Sequence, residues 1–292
     1  MVQWYVFAII SAIFLGIAEI LRKKALLKEH AMEFAAVYKI FELAIIIFLI
    51  PFVGVHLRIS AETFILVYAI SLIGTLAYLI STKSLRHTPI SSVIPLSNIE
   101  PLFIVILAFI FLGEQISFLQ FAGILALAAG VYALQVDHKL SDFKTPFKKI
   151  YESKYTRMFI LAVLLTAVGS LGEKYVIGST DAITLLFLIY LFTAINFTVL
   201  LAMFHDGFKG IKHGIKNAGA SIFLVAFFAT LSNLAYFKAL SIAWVSLLIP
   251  IYRTGTIIAT IAGGRFFKEE HLLQKSIACA IMTAGAVLVI LG

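Results

Sequence analysis

Charge is scarce in this chain. Asp, Glu, Lys and Arg make up 13% of its 292 residues, against 62% hydrophobic residues and a mean hydropathy of +1.05. Soluble domains carry about 25% charged residues, so this composition excludes a water-soluble globular protein and implies a polytopic membrane protein. Cysteine is nearly absent: Cys279 stands alone, which excludes an intrachain disulfide and any cysteine-built metal site. No glycine-rich loop ending in lysine occurs, so ATP bound to this chain is not the power source. No His-Glu-x-x-His helix occurs either. His30, His56, His87, His138, His205, His213 and His271 fall in loops or at the edges of apolar runs, and "FKEEH" with Glu269, Glu270 and His271 reads as interfacial charge. An enzyme, a metal and a cofactor are therefore not expected. The net charge of +8 fits basic cytoplasmic loops better than a nucleic-acid partner. "MVQWYVFAII" has no basic region before its apolar stretch, so it is expected to be a retained first helix.

What is present is a series of apolar runs long enough to cross a bilayer as helices. They fall near 3–22, 34–54, 63–84, 89–112, 117–136, 157–177, 182–204, 218–240, 244–265 and 272–291. The longest polar stretch separates the first five from the last five. The expected organisation is a five-helix unit at 1–136, a basic linker at 137–156 and a second five-helix unit at 157–292. Within the linker Phe143, Phe147, Ile150 and Tyr151 follow a helical spacing, so it either lies on the membrane surface or is a solvated loop.

The two units are copies. "TLAYLISTKSLRHTPISSVIPLSNIEP" (75–101) aligns with "TLSNLAYFKALSIAWVSLLIPIYRTGT" (230–256) at an offset of 155, which pairs Thr75 with Thr230, Lys83 with Lys238, Ser91 with Ser246 and Pro95 with Pro250. The same offset pairs Glu114 with Glu269 and Gly130 with Gly285. An odd number of spans per unit reverses the second unit across the membrane, which predicts two inverted five-helix repeats with a binding site between them. Of the 23 Lys and Arg, 18 lie in loops after odd-numbered spans. The positive-inside rule then puts those loops in the cytoplasm and both termini outside.

Ten helices in two halves, "LGEQ" after span four, the "TKSLRHTPISSVIPLSNIEPLF" segment and the ending "GGRFFKEEHLLQKSIACAIMTAGAVLVI" resemble the EamA-type members of the drug/metabolite transporter superfamily. The resemblance spans essentially the whole chain. It implies alternating-access transport in a plasma or inner membrane, with Tyr78 and Asn233 lining the cleft. It allows amino acids, nucleotide sugars, sugar phosphates, choline-like cations and drugs. "FLGIAEILRKKAL" (14–26) is similar to the first helix of the small multidrug resistance transporters, which implies a coupling role for Glu19. The family usually keeps both termini inside, opposite to the charge count.

The remaining signal is charge within apolar runs. Arg253 lies inside span nine and needs a partner, a wet cavity or a ligand, since a lone charge there costs roughly 2.5 to 3.5 kcal/mol. Its repeat mate is Asn98, and Glu100 lies at matching depth in span four. A guanidinium and a carboxylate facing one cleft either join the halves as an ion pair or read a zwitterion, with Tyr252 as an aromatic wall. Glu19 lands on Glu173 at an offset of 154, and symmetric first-helix carboxylates fit proton coupling. Both also adjoin basic residues, Arg22 and Lys23 or Lys174, as residues at a helix end would. Lys39 and Glu42 share a helix face and read as a self-neutralising pair. The expectation is a carrier of a small amino-acid-like metabolite in contact with membrane lipid. Carriers of organic cations or anionic metabolites, and a non-transporting receptor or lipid-handling protein, are the alternatives.

Overall fold

The computed structural model describes residues 3–55, 59–135, 152–204, 207–267 and 272–292. These residues form helices only: α1 (Trp4–Leu26), α2 (Ala31–Val53), α3 (Ala61–His87), α4 (Ile90–Val93), a 3-10 turn (Ile94–Ile99), α5 (Glu100–Leu112) and α6 (Phe118–Gln135). The second half gives α7 (Lys154–Val176), α8 (Ala182–Phe204), α9 (Phe208–Leu240), α10 (Val245–Arg253), α11 (Gly255–Phe266) and α12 (Leu272–Leu291). Among the described residues, seven segments are long and apolar enough to cross a membrane, with shorter apolar helices at Glu100–Leu112, Phe118–Gly130 and Ala280–Val289. The outer face carries large apolar side chains such as Phe48, Phe52, Phe109 and Phe111, each more than 60% exposed. An apolar belt of that kind suits lipid and not water.

Three boundaries differ from the sequence expectation. Ser153 caps α7 by accepting from the Thr156 amide at 3.2 Å, so this helix starts at Lys154, inside the expected linker. Span eight begins ten residues early, at Phe208, and α9 runs 33 residues, about 50 Å, well past a hydrocarbon core about 30 Å thick. Spans four and nine are each two helices. Pro95 and Pro101 accompany the 3-10 turn between α4 and α5, and Pro250 lies within α10, where a missing N–H weakens the helix. Hydroxyls satisfy carbonyls near both breaks: Ser97 donates to Ile94 at 2.6 Å, and Thr254 and Thr256 donate to Ile251 and Arg253 at 2.7 Å. The broken spans keep register with each other, since α4 and α10 start 155 residues apart, as do α5 and α11. The linker residues Phe143, Phe147, Ile150 and Tyr151, like Glu269, Glu270 and His271, lie outside the described residues.

Helices of the first half pack chiefly on helices of the second. α1 lies on α9 and α11, α3 on α7, α2 on α8 and α9, α5 on α7, and α6 on α12. The α6–α12 seam closes over Gly123 and Gly285, where a Cβ on either residue would sit 2.6 Å from the other's carbonyl oxygen. Small residues at such crossings let membrane helices approach closely. Matching lysines tie the ends of α3 and α9. Lys23 donates to the Leu85 and Thr88 carbonyls, both at 2.7 Å, and Lys174 to the Leu240 and Ala243 carbonyls at 2.9 and 2.6 Å. Each lysine satisfies orphan carbonyls at a helix C-terminus and complements its dipole.

Candidate functional site

Between the halves lies a cavity of about 270 Å³, lined by α1, α2, α3, the 3-10 turn and α7 to α11. α6 and α12 stay outside it as a peripheral pair. The lining combines small and apolar residues with five tyrosines, 38, 78, 190, 236 and 252, and with Glu19, Arg22, Lys39, Glu173 and Arg253. Of the residues singled out in the sequence, Glu19, Tyr78, Glu173, Asn233, Tyr252 and Arg253 all line it. The Asn98 side chain lies outside the described residues. Glu100 is fully buried and does not line the cavity. α5 starts at Glu100 and packs on α7, where Ser170 donates to its carboxylate at 3.4 Å.

Charge in the cavity wall is organised into self-contained pairs. Arg253 forms an ion pair with Glu100 behind it, so the sequence expectation of two groups facing one cleft becomes one group facing it with its counterion behind. Arg22 pairs with Glu19 at 3.1 Å, donates to Ser81 and Thr82 at 2.9 and 2.5 Å, and covers the Tyr78 ring at 4.4 Å. Lys39 pairs with Glu42 at 2.7 Å, and Glu42 also accepts from Tyr38 at 2.5 Å. The Tyr38 ring stacks on Tyr78 at 5.1 Å.

Glu173 differs. Among the described residues it has no cation within ion-pair distance, and its carboxylate accepts from the Tyr236 hydroxyl at 3.3 Å. Its sequence neighbour Lys174 turns away to the α9 C-terminus, so the two are not a helix-end pair. Lys39, the cation that bears on Glu173 across the cavity, is held by Glu42. Tyr236 leans on Tyr252 with ring centroids 5.0 Å apart, and the Arg253 guanidinium lies 5.2 Å from the Tyr252 ring. One wall thus runs from a carboxylate over two tyrosines to a guanidinium.

Several buried polar atoms of lining residues also lack a hydrogen-bond partner among the described residues: the Tyr78 hydroxyl and the Nε atoms of Arg22 and Arg253. Buried polar groups are normally satisfied, so such atoms mark where a ligand or water bonds. Sequence reasoning named Arg22 only as a basic neighbour of Glu19 and missed Tyr190 and Tyr236. Asn233 donates to the Tyr190 hydroxyl at 2.9 Å, which holds it against α8. No repeat mate with a matching chemistry pointed to the two tyrosines; only the helix packing brings them to the cavity.

Residues 2–135 match the EamA-like transporter family. A solved structure described only as a crystal structure of a protein aligns over 96% of this chain and 96% of its own, with a TM-score of 0.63 and 17% identity, a likeness of fold. No curated protein matches the chain.

Proposed function

We propose that this multi-pass membrane protein, whose N-terminal half is an EamA-like transporter unit of the drug/metabolite superfamily, carries a small amino-acid-like metabolite by alternating access. The observation that carries the reading is the wall from Glu173 to Arg253. A substrate ammonium neutralises Glu173, which among the described residues is the one lining carboxylate without a cation. Its carboxylate meets the free Nε edge of Arg253, a planar donor suited to carboxylates. The cavity volume falls just under the roughly 300 Å³ at which drug-sized pockets begin, which favours an amino acid over a nucleotide sugar.

Alternating access requires two units that rock on each other. Support for inverted five-helix repeats comes from reciprocal packing: span one on span eight mirrors span three on span six, and span one on span nine mirrors span six on span four. The lysine caps add to it, because Leu85 and Thr88 are offset by 155 from Leu240 and Ala243, at opposite ends of the molecule. In this reading Glu173 is also the coupling group, which a proton neutralises when no ammonium is bound. Glu19, held by Arg22, is a poorer candidate. Asn233 and Tyr78 orient the ligand, and the basic loops face the cytoplasm, with both termini outside.

Five lining tyrosines support a second reading, an organic-cation carrier in which aromatic faces and Glu173 hold a quaternary ammonium. Proteoliposomes preloaded with amino acids or with choline-like cations distinguish the two. Counterflow of zwitterionic amino acids, reduced at least tenfold in both Glu173→Gln and Arg253→Lys, supports the first reading. Cation flux that needs Glu173 but tolerates Arg253→Lys supports the second. Ligand-induced thermal stabilisation with no flux of any solute overturns both in favour of a receptor or lipid-handling role.

A further inference from the structure

We propose that Glu29, Glu33 and His213 form a divalent transition-metal site that fastens the two halves together at the basic end of the molecule. The three lie on separate pieces of chain: Glu29 in the turn between α1 and α2, Glu33 in the first turn of α2, and His213 in the extension of α9 beyond the bilayer. One ligand atom from each lies within 4.8 Å of the others. The His213 Nδ1 is 3.1 Å from the Glu33 carboxylate and 3.9 Å from that of Glu29. Ligands bound at about 2.0 to 2.2 Å to one metal stand about 3 Å or slightly more apart, so contraction by under 1 Å on the Glu29 side completes the set.

An independent feature points to a cation. The Glu29 side chain is fully buried, and among the described residues no donor bonds to either of its oxygens. A buried carboxylate left without donors is costly unless a cation or proton fills the gap.

The surroundings suit a metal. Asn217 reaches the other ring nitrogen, Nε2, at 2.8 Å. The structure turns its amide nitrogen toward Nε2; with the amide flipped, its carbonyl accepts from Nε2–H and fixes the tautomer that leaves Nδ1 free for a metal, as an outer hydrogen-bond partner does. Gly210 and Gly214 bring α9 close to α2, with Glu33 Cγ 3.4 Å from a Cβ built at Gly210. Two carboxylates and an imidazole select Mn(II), Fe(II), Co(II) or Zn(II) over Mg(II). Because Glu29 and Glu33 belong to one half and His213 to the other, bound metal favours the arrangement in which this end is closed.

The test uses the full-length protein with any polyhistidine tag removed. MnCl2, ZnCl2 and MgCl2 are titrated by calorimetry and thermal shift against the wild type, Glu29→Gln and His213→Ala. The expected result is one Mn(II) or Zn(II) per chain with a raised melting temperature, at least tenfold weaker affinity in each variant, and little response to Mg(II). The exposed His213→Ala variant keeps the metal-free melting temperature, which separates lost binding from lost folding. Absence of binding, or binding equally strong in both variants, overturns the site.

Discussion

Glu19 and Glu173 stand 154 residues apart in the first helix of each half, line the same cavity and differ in what neutralises them. One turn beyond Glu19 stands Arg22, which closes on it at 3.1 Å. One turn beyond Glu173 the equivalent residue is Val176, buried and apolar, and the adjacent lysine is engaged at a helix end. Arg22 against Val176 therefore leaves one carboxylate ion-paired and the other, among the described residues, without a cation. The broken spans repeat the lesson. Where α5 starts with Glu100, α11 starts with Gly255, because α1 presses so closely that a Cβ there would collide with the Ala12 carbonyl oxygen.

Four stability measurements sharpen this contrast, in falling order of effect. Glu100→Gln leaves Arg253, mostly buried at the cavity wall, without its counterion; breaking a fully buried pair costs about 3–5 kcal/mol, and the loss should fall at the lower end, about 3 kcal/mol. Unfolding in detergent should show that loss, with most of it recovered in the Glu100→Gln, Arg253→Met double variant. Glu19→Gln removes a charge-assisted contact to Arg22 and should cost about 1.5–3 kcal/mol. Glu173→Gln keeps an acceptor for Tyr236 and should cost under about 1 kcal/mol. Equal losses for these two variants would erase the distinction between them. Lys23→Met and Lys174→Met each forfeit a helix-end interaction worth about 0.3–1 kcal/mol, and the two losses should match if the halves are built alike.

Much of the fold was legible because a bilayer imposes a simple code. Apolar runs had to be helices, so span positions and the repeat offset followed from hydropathy and from pairs such as Pro95 and Pro250. The discontinuity of spans four and nine was only hinted at by their prolines, since proline also occurs in unbroken membrane helices. The candidate site was half legible. Arg253 stood out because a charge in an apolar run needs an explanation, and Tyr78 and Asn233 came from the family resemblance. The partition of roles between Glu100 and Glu173 could not be read, because it depends on which side of α5 faces α7. The Glu29, Glu33 and His213 cluster was equally hidden, since His213 is 180 residues from Glu33 and carries no ligand-spacing motif.

The sequence by itself determined a membrane-embedded helical chain with a few charges within its apolar runs. Composition and periodicity are local properties, and the cost of exposing backbone to lipid makes them decisive. Tertiary structure alone decided which charges neutralise one another and which remain for a ligand. Pairing depends on helix rotation and on contacts between residues far apart in the chain; Arg253 pairs with the buried Glu100, and among the described residues Glu173 faces the cavity without a counterion.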